Sequence, residues 1–459
     1  MAEIPPERDQ QFARMREAAR EIFTSALKNA SIESAFSRDL HCERGVLRIC
    51  EDLYDLDSYN RVFVVSIGKA AHTMAAALEA QVGSRLEGIV ATPVDPASLG
   101  QTGQVRGFRY FHGGHPTPTA ESIQAADAIL KTLGSLDATS LVIFLLSGGG
   151  SAIVEKPIDA EISLPDLIAT YRVLILSGAP IAAINAIRKH LSAVKGGRLA
   201  QAAYPAQQVS ILVSDVPDST PDALASGPTM SDSTSIHDCE RIAAEYNLIA
   251  QFPPSVAGLF REHALEETPK SDDPAFVRAR WWTVLSNKVA IDEAAIAATR
   301  AGFAVEVDNS CDDWDYGKAA GYLLTRIREL RSKVSRVCLL SGGEVTVTVR
   351  NGGTGGRNQQ FALACAGKIA GEDITVLSAG TDGIDGNSPA AGAVADGSTL
   401  FRARLQSEFQ SNDHAAAAGA VRQSLATFNA FPYFDAIGDV ILTGPTGNNL
   451  RDLRILLAY

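Results

Sequence analysis

The run Leu141-Val142-Ile143-Phe144-Leu145-Leu146, which empties into Ser147-Gly148-Gly149-Gly150-Ser151, decides the fold class. Six apolar residues without polar alternation describe a strand buried on both faces, the habit of a parallel sheet covered by helices on each side. The same pattern recurs on either side of it. Val62 to Ile67 is an apolar strand, and Gly68-Lys69-Ala70-Ala71 opens a helix running to about Gln81. Gly88 to Thr92 is stopped by Pro93, and Val209 to Ser214 ends at Asp215. A helix is expected over Ile181 to Ala203, with Arg188 and Lys195 two turns apart on one face. Strands alternating with helices of this length make the region an α/β domain of Rossmann-like parallel-sheet type.

At 459 residues the chain exceeds one ordinary core, so two domains are expected. Between about 230 and 280 the pattern weakens into acidic, proline-containing sequence, which places the boundary there: an N-terminal domain over 1–265 and a smaller α/β C-terminal domain over 275–459. Trp282 to Ser286, Phe303 to Val307, Val337 to Leu340 and Ile374 to Leu377 read as strands of the second domain. Thr346 to Val349 has the period of an exposed edge strand, and Leu453 to Leu457 closes the chain as another strand. Leu145-Leu146-Ser147-Gly148-Gly149 is echoed by Leu339-Leu340-Ser341-Gly342-Gly343, either by chance or as two loops facing one cleft.

The formal charge of −12 excludes the basic footprint that a nucleic acid requires. It does not bear on small anions, which are captured by local donors. The six cysteines form no CxxC pair and no metal-ligand spacing, and they read as reduced thiols. The first residues, MAEIPPERDQ, carry no signal-peptide pattern, and no apolar run approaches a membrane span. The expectation is a soluble cytoplasmic protein with no membrane or nucleic-acid partner; a homo-oligomer is compatible with the sequence.

Ligands of open parallel sheets collect beyond the C-terminal ends of strands, where backbone amides point outward. Lys69 lies at such an end, either as a solvated surface lysine or as a cation held for an anion. Ser147, Gly148, Gly149, Gly150 and Ser151 offer consecutive bare amides and two hydroxyls, a cradle suited to phosphate. Asp215 fits a general base, a metal ligand or a helix cap. Gly352 to Gly356 precede Arg357, whose guanidinium can grip an oxyanion through two donors. Gly342, Gly343 and Glu344 form a second glycine loop. Asp382 and Asp385 stand at a further strand end, a pairing that suits Mg²⁺ although no EF-hand spacing is completed. His112 and His115 lie in a turn, lining the site or capping it. Neither a Walker A motif nor the GxGxxG dinucleotide fingerprint is present.

The segments SIGKAA (66–71), GGHPTP (113–118), LLSGGGSA (145–152), VKGGRLA (194–200), SDVPDS (214–219), SGPT (226–229), SGGE (341–344), GGRNQQ (355–360), SAGTDGIDG (378–386) and TGPTGNN (443–449) resemble, in order, the class II glycerate kinases with a MOFRL C-terminal domain. Asp218-Ser219 departs from the glycine and acid that many relatives carry at that place. The resemblance implies ATP-dependent phosphorylation of D-glycerate to 2-phosphoglycerate with Mg²⁺, in a cleft between the two domains. It sets Lys69, Asp215 and Arg357 at the catalytic positions, polyphosphate on Ser147 to Ser151 and on Gly342 to Glu344, and Asp382 as a metal ligand. The alternative is an NAD(P)H-dependent hydroxypyruvate reductase, against which the missing fingerprint counts. A non-catalytic module that binds a sugar acid is a third reading.

Overall fold

The protein is described by a computed structural model over residues 4–99, 103–349, 352–405 and 414–459. It divides into two compact units, Ile32–Leu285 and a second made of Met1–Ser31 with Ser286–Tyr459.

In the first unit a small antiparallel sheet comes first, β1 (Leu40–Glu43), β2 (Val46–Ile49) and β3 (Asp52–Asp55). Six strands follow: β4 (Arg61–Ile67), β5 (Glu87–Thr92), β6 (Phe108–His112), β7 (Ser140–Ser147), β8 (Gln207–Val213) and β9 (Ala279–Leu285). They pair entirely in parallel, in the order β6-β5-β4-β7-β8-β9. Relabelled from β4 onward this is 3-2-1-4-5-6, the doubly wound order, and strand direction of travel reverses between β4 and β7. β7 is buried along its whole length because both faces are covered. Val142, Phe144 and Leu146 pack with Ala125, Ile129 and Leu133 of the helix Ala120–Leu133, while Leu141, Ile143 and Leu145 are equally inaccessible.

The second unit carries β10 (Ala304–Val307), β11 (Val337–Gly343), β12 (Ile374–Gly380), β13 (Gly392–Asp396), β14 (Val440–Ile441) and β15 (Asp452–Ala458) in the order β10-β11-β15-β12-β13-β14. Only β10 and β11 are parallel; the last strand, β15, enters between β11 and β12 and runs antiparallel to both. The sheet is therefore mixed, within the α/β class expected.

The compact units divide elsewhere than at 265–275. Trp282 to Ser286, read from sequence as the opening strand of the second domain, falls at the end of β9 (Ala279–Leu285), which extends the first sheet beside β8. Local pattern names a strand but not the sheet that will take it. Conversely, the helix Pro6–Asn29 belongs with the C-terminal sheet. Phe12, Ala19, Ile22, Phe23 and Ala26 form its apolar stripe and pack with Ile291, Ala294, Leu377 and Leu457. Arg8 pairs with Asp373 at 2.8 Å, and Arg16 pairs with Asp396.

Two local expectations change as well. The helix expected over 181–203 is two helices, Ile181–His190 and Arg198–Ala203. The first ends at His190, and Gly196 and Gly197, with positive φ (56° and 87°), turn the chain into the second, for which Gly197 is the N-cap. Thr346 to Val349 is not a strand: Thr346 makes one bridge, to Asp315. Phe23 is fully buried, so Phe23→Ala should destabilise the C-terminal unit by about 3–5 kcal/mol, read as a lowered urea midpoint; an unchanged midpoint would detach this helix from that core.

Candidate active site

The reversal between β4 and β7 brings two of the glycine loops side by side. Gly68 follows β4 with φ 126° and lies so close to Ser147 that a side chain there would overlap it. The Ser147 hydroxyl accepts the amide of Ala70 at 3.1 Å, and the amide of Lys69 donates to the Gly148 carbonyl at 2.9 Å. The helix begins at Ala71, with Ala70 as its cap. Lys69 thus stands just ahead of the first turn rather than inside it, and its exposed ammonium has no hydrogen-bond or ion-pair partner among the described residues.

The loop after β7 turns through Gly149 (φ 82°) into the short helix Gly150–Ile153. The amides of Gly148, Gly149, Gly150 and Ser151 find no protein acceptor among the described residues. Two close approaches explain the glycines. At Gly148 a Cβ would overlap the Asp215 carboxylate; at Gly149 it would lie 2.9 Å from the His115 ring and 3.2 Å from Cγ of Lys69. Lys69, His115, Gly148, Gly149 and Asp215 are therefore one cluster. His115, undecided in the sequence, is part of it; partial desolvation, then the charge of Lys69, lowers its pKa. His112 lies apart, its Nε2 3.0 Å from the Pro93 carbonyl. Ser151 Oγ meets Ser226 Oγ at 2.7 Å, and Ala225, Ser226 and Gly227 all adopt positive φ beneath it.

The echoed loop in the C-terminal unit is built differently. The amides of Gly342, Gly343 and Glu344 donate to Asn309 Oδ1 (2.8 Å), Asn287 Oδ1 (3.0 Å) and Asp312 Oδ1 (2.9 Å). From below, the fully buried Arg454 donates to the Gly342 and Gly343 carbonyls. The phosphate cradle expected at Gly342, Gly343 and Glu344 is thus not formed, because each amide is already satisfied internally.

Arg357 likewise departs from expectation. Its fork is filled by Asp452, Nε to Oδ2 at 2.6 Å and Nη2 to Oδ1 at 3.0 Å, and Glu344 Oε1 lies 2.7 Å from Nη2. An incoming oxyanion must compete with two carboxylates for this guanidinium. Arg357 lines a cavity of about 440 Å³ with Asp382, Asp385, Ile384, Val347 and Phe428. Asp382 accepts the Ile384 amide at 3.1 Å. Asp385 caps the helix Arg357–Ala366 by accepting the amides of Asn358 (3.1 Å) and Gln359 (2.9 Å), so it is not spare for a cation. No group of three His, Cys, Asp or Glu among the described residues could hold a metal. Asp382 on its own suits Mg²⁺ only in the manner of a nucleotide complex, where phosphates and water supply most ligands.

Asp452 and Arg454 were concealed in the apolar strand Asp452-Leu-Arg454-Ile-Leu-Leu. Two charges in an otherwise buried strand were the available signal. Burial lifts the Asp385 carboxyl to about 7 against the pull of its two amides. A folded value above the ordinary ~3.9 means that the folded state holds a proton the unfolded chain releases. Its contribution is complete below ~4 and is lost as pH rises through 7. Asp385→Asn should flatten that fall in denaturant stability between pH 5 and pH 8; an unaltered slope would remove Asp385 as its source.

Two family models match the chain: DUF4147, a domain of unknown function, over residues 18–261, and the MOFRL family over residues 337–452. D-glycerate 2-kinase of Thermotoga maritima is 33% identical over 403 residues, spanning 86% of this chain and 90% of the relative. Human glycerate kinase is 30% identical, spanning 96% and 92%. A putative hydroxypyruvate reductase of Agrobacterium vitis is 35% identical, spanning 86% and 87%. The crystal structure of glycerate kinase from Thermotoga maritima aligns with a TM-score of 0.80 at 30% identity, covering 97% of this chain and all of that one (100%). Ordered motifs, a doubly wound sheet with its loops at the switch point and these full-length matches agree, and the chain belongs to the class II glycerate kinases of the MOFRL family.

Proposed function

We propose that this chain transfers the γ-phosphoryl group of ATP to the 2-hydroxyl of D-glycerate, giving 2-phosphoglycerate and ADP. The observation that carries this is the cluster at the β4–β7 reversal: an ammonium and four amides without partners among the described residues, and a carboxylate, within one loop's width. Phosphoryl transfer needs charge neutralisation and alignment rather than a covalent protein intermediate, and this cluster supplies both. The glycerate kinase names of relatives in Thermotoga maritima and human support the same reading.

The amides of Gly148 to Ser151 hold the polyphosphate. Asp215 accepts the proton of the glycerate 2-hydroxyl as its oxygen bonds to the γ-phosphorus and the bond to the β,γ-bridging oxygen breaks. Lys69 neutralises the charge gathered on the equatorial oxygens. Arg357 takes second place, since Asp452 and Glu344 already occupy its donors. Mg²⁺ would enter as the nucleotide complex and would supply charge neutralisation, and Asp382 would be its protein ligand. Six unpaired cysteines fit a reducing, cytoplasmic setting.

The deciding experiment incubates the protein with MgATP and D-glycerate and follows the product by ³¹P NMR; a parallel arm supplies NADH and hydroxypyruvate. Formation of 2-phosphoglycerate with ADP is expected, and NADH oxidation without ADP formation would sink the proposal in favour of a reductase. Lys69→Ala should lower kcat by at least ~10²-fold with the fold retained. Gly148→Ala, whose new methyl group displaces the Asp215 carboxylate, should cost kcat a similar ~10²-fold, and full activity in it would free Asp215 from the mechanism.

A further inference from the structure

Beside the switch point lies a group of side chains that this mechanism does not use. Glu155, two residues past the helix Gly150–Ile153, is completely buried. It accepts hydrogen bonds from Ser192 Oγ at 2.6 Å and from the Lys156 amide at 2.9 Å, and also from Lys195 Nζ and Tyr171 OH. Lys195 and Glu155 neutralise each other. Arg188 joins the same group from the helix Ile181–His190, its guanidinium 4.7 Å from the centre of the Tyr171 ring. The helix ends at His190, so Lys195 lies in the connection beyond it and the shared helix face expected of Arg188 and Lys195 is lost, yet Tyr171 gathers both.

Arg188 differs from every other cation of this region. Lys189 is paired with Asp222 and Asp232, and Lys195 with Glu155. Arg188 has no hydrogen bond or ion pair with any described residue, and its Nε is wholly enclosed. Burial lowers its pKa, against the opposing pull of Tyr171 and of the Glu155 carboxylate that Lys195 already neutralises. An exposed lysine such as Lys69 needs no partner, but a partly buried guanidinium does. Its five donors in a planar fork match one carboxylate through two parallel hydrogen bonds.

The group is tied to the proposed reaction site through short links. Ser226 Oγ meets Ser151 Oγ, and the Ser226 carbonyl accepts the amide of Gly196, the neighbour of Lys195. The amide of Glu155 donates to the Ser122 carbonyl, and Ser122 Oγ accepts the amide of Gly114, next to His115.

We infer that Arg188 is the specificity-determining residue for the acceptor, binding the carboxylate of the hydroxy acid through its unpaired fork while Tyr171 supports the guanidinium plane. The inference rests on the kinase reading for its substrate. A single carboxylate suits it better than a polyphosphate, because among the described residues Arg188 is the one cation of this buried group without a partner, and under the kinase reading the loop amides and Lys69 serve phosphate.

The test compares D-glycerate with its neutral methyl ester as acceptors for the wild type, Arg188→Lys and Arg188→Met. Arg188→Met is expected to raise KM for D-glycerate ~10²-fold or more, leave KM for ATP unchanged, and collapse the preference for acid over ester. Arg188→Lys should keep a charge but lose the fork, giving an intermediate preference. A structural role would depress acid and ester alike, and a retained preference, or a rise confined to KM for ATP, overturns the inference. Should neither variant fold, phenylglyoxal labelling of the wild type decides: D-glycerate should protect Arg188 and the methyl ester should not, and equal labelling overturns it. Labelling needs no turnover, so failure of the kinase reading, seen as no product from the wild type, is distinguishable from failure at Arg188.

Discussion

Between β4 and β7 the doubly wound sheet changes its direction of travel, and the loops leaving those strands turn toward opposite faces. What lies between them is backbone that neither helix layer can cover. The sequence puts glycine there because side chains would not fit: Gly68 is against Ser147, Gly148 against the Asp215 carboxylate, Gly149 against His115 and Lys69. Among the described residues four amides are left without protein acceptors, with an ammonium that has no partner beside them. In a chain of net charge −12 this local excess of donors is what an anion would encounter.

The C-terminal unit shows how the same sequence pattern can serve the opposite end. Ser341-Gly342-Gly343 repeats Ser147-Gly148-Gly149 at the end of a buried strand, yet its amides are consumed by Asn309, Asn287 and Asp312 and its carbonyls by Arg454. Among the described residues the donors of the first loop find no protein acceptor; the second loop is locked by the protein. Its rigidity fixes Glu344, which in turn reaches Arg357. Satisfaction of donors, more than glycine content, separates a binding loop from a structural one.

The same distinction sorts the basic residues. Arg357, Arg451 and Lys195 carry charges already answered by Asp452, Asp312 and Glu155. Lys69 and Arg188 make no hydrogen bond or ion pair with any described residue. Counting arginines and lysines in glycine-rich segments would rank Arg357 above Arg188, whereas the partners of each guanidinium reverse that order.

The sequence by itself determined the α/β class, the strands β4, β5, β7 and β8 of the first sheet, and the strand-end positions of Lys69, Gly148 to Ser151 and Asp215. These follow from periodicity and glycine placement, which act over a few residues. The sequence named β9 without its sheet and missed β6, whose alternating exposure gives no apolar run. Only the tertiary structure decided that helix Pro6–Asn29 and β15 complete the C-terminal unit, since burying an apolar face depends on what is adjacent in space. It alone decided that Gly342 to Glu344 and the Arg357 fork are occupied and that Arg188, among the described residues, is not. A donor's availability is set by acceptors that stand far away in the chain, Asp452 for Arg357 and Asn287 for Gly343, and no local pattern records them.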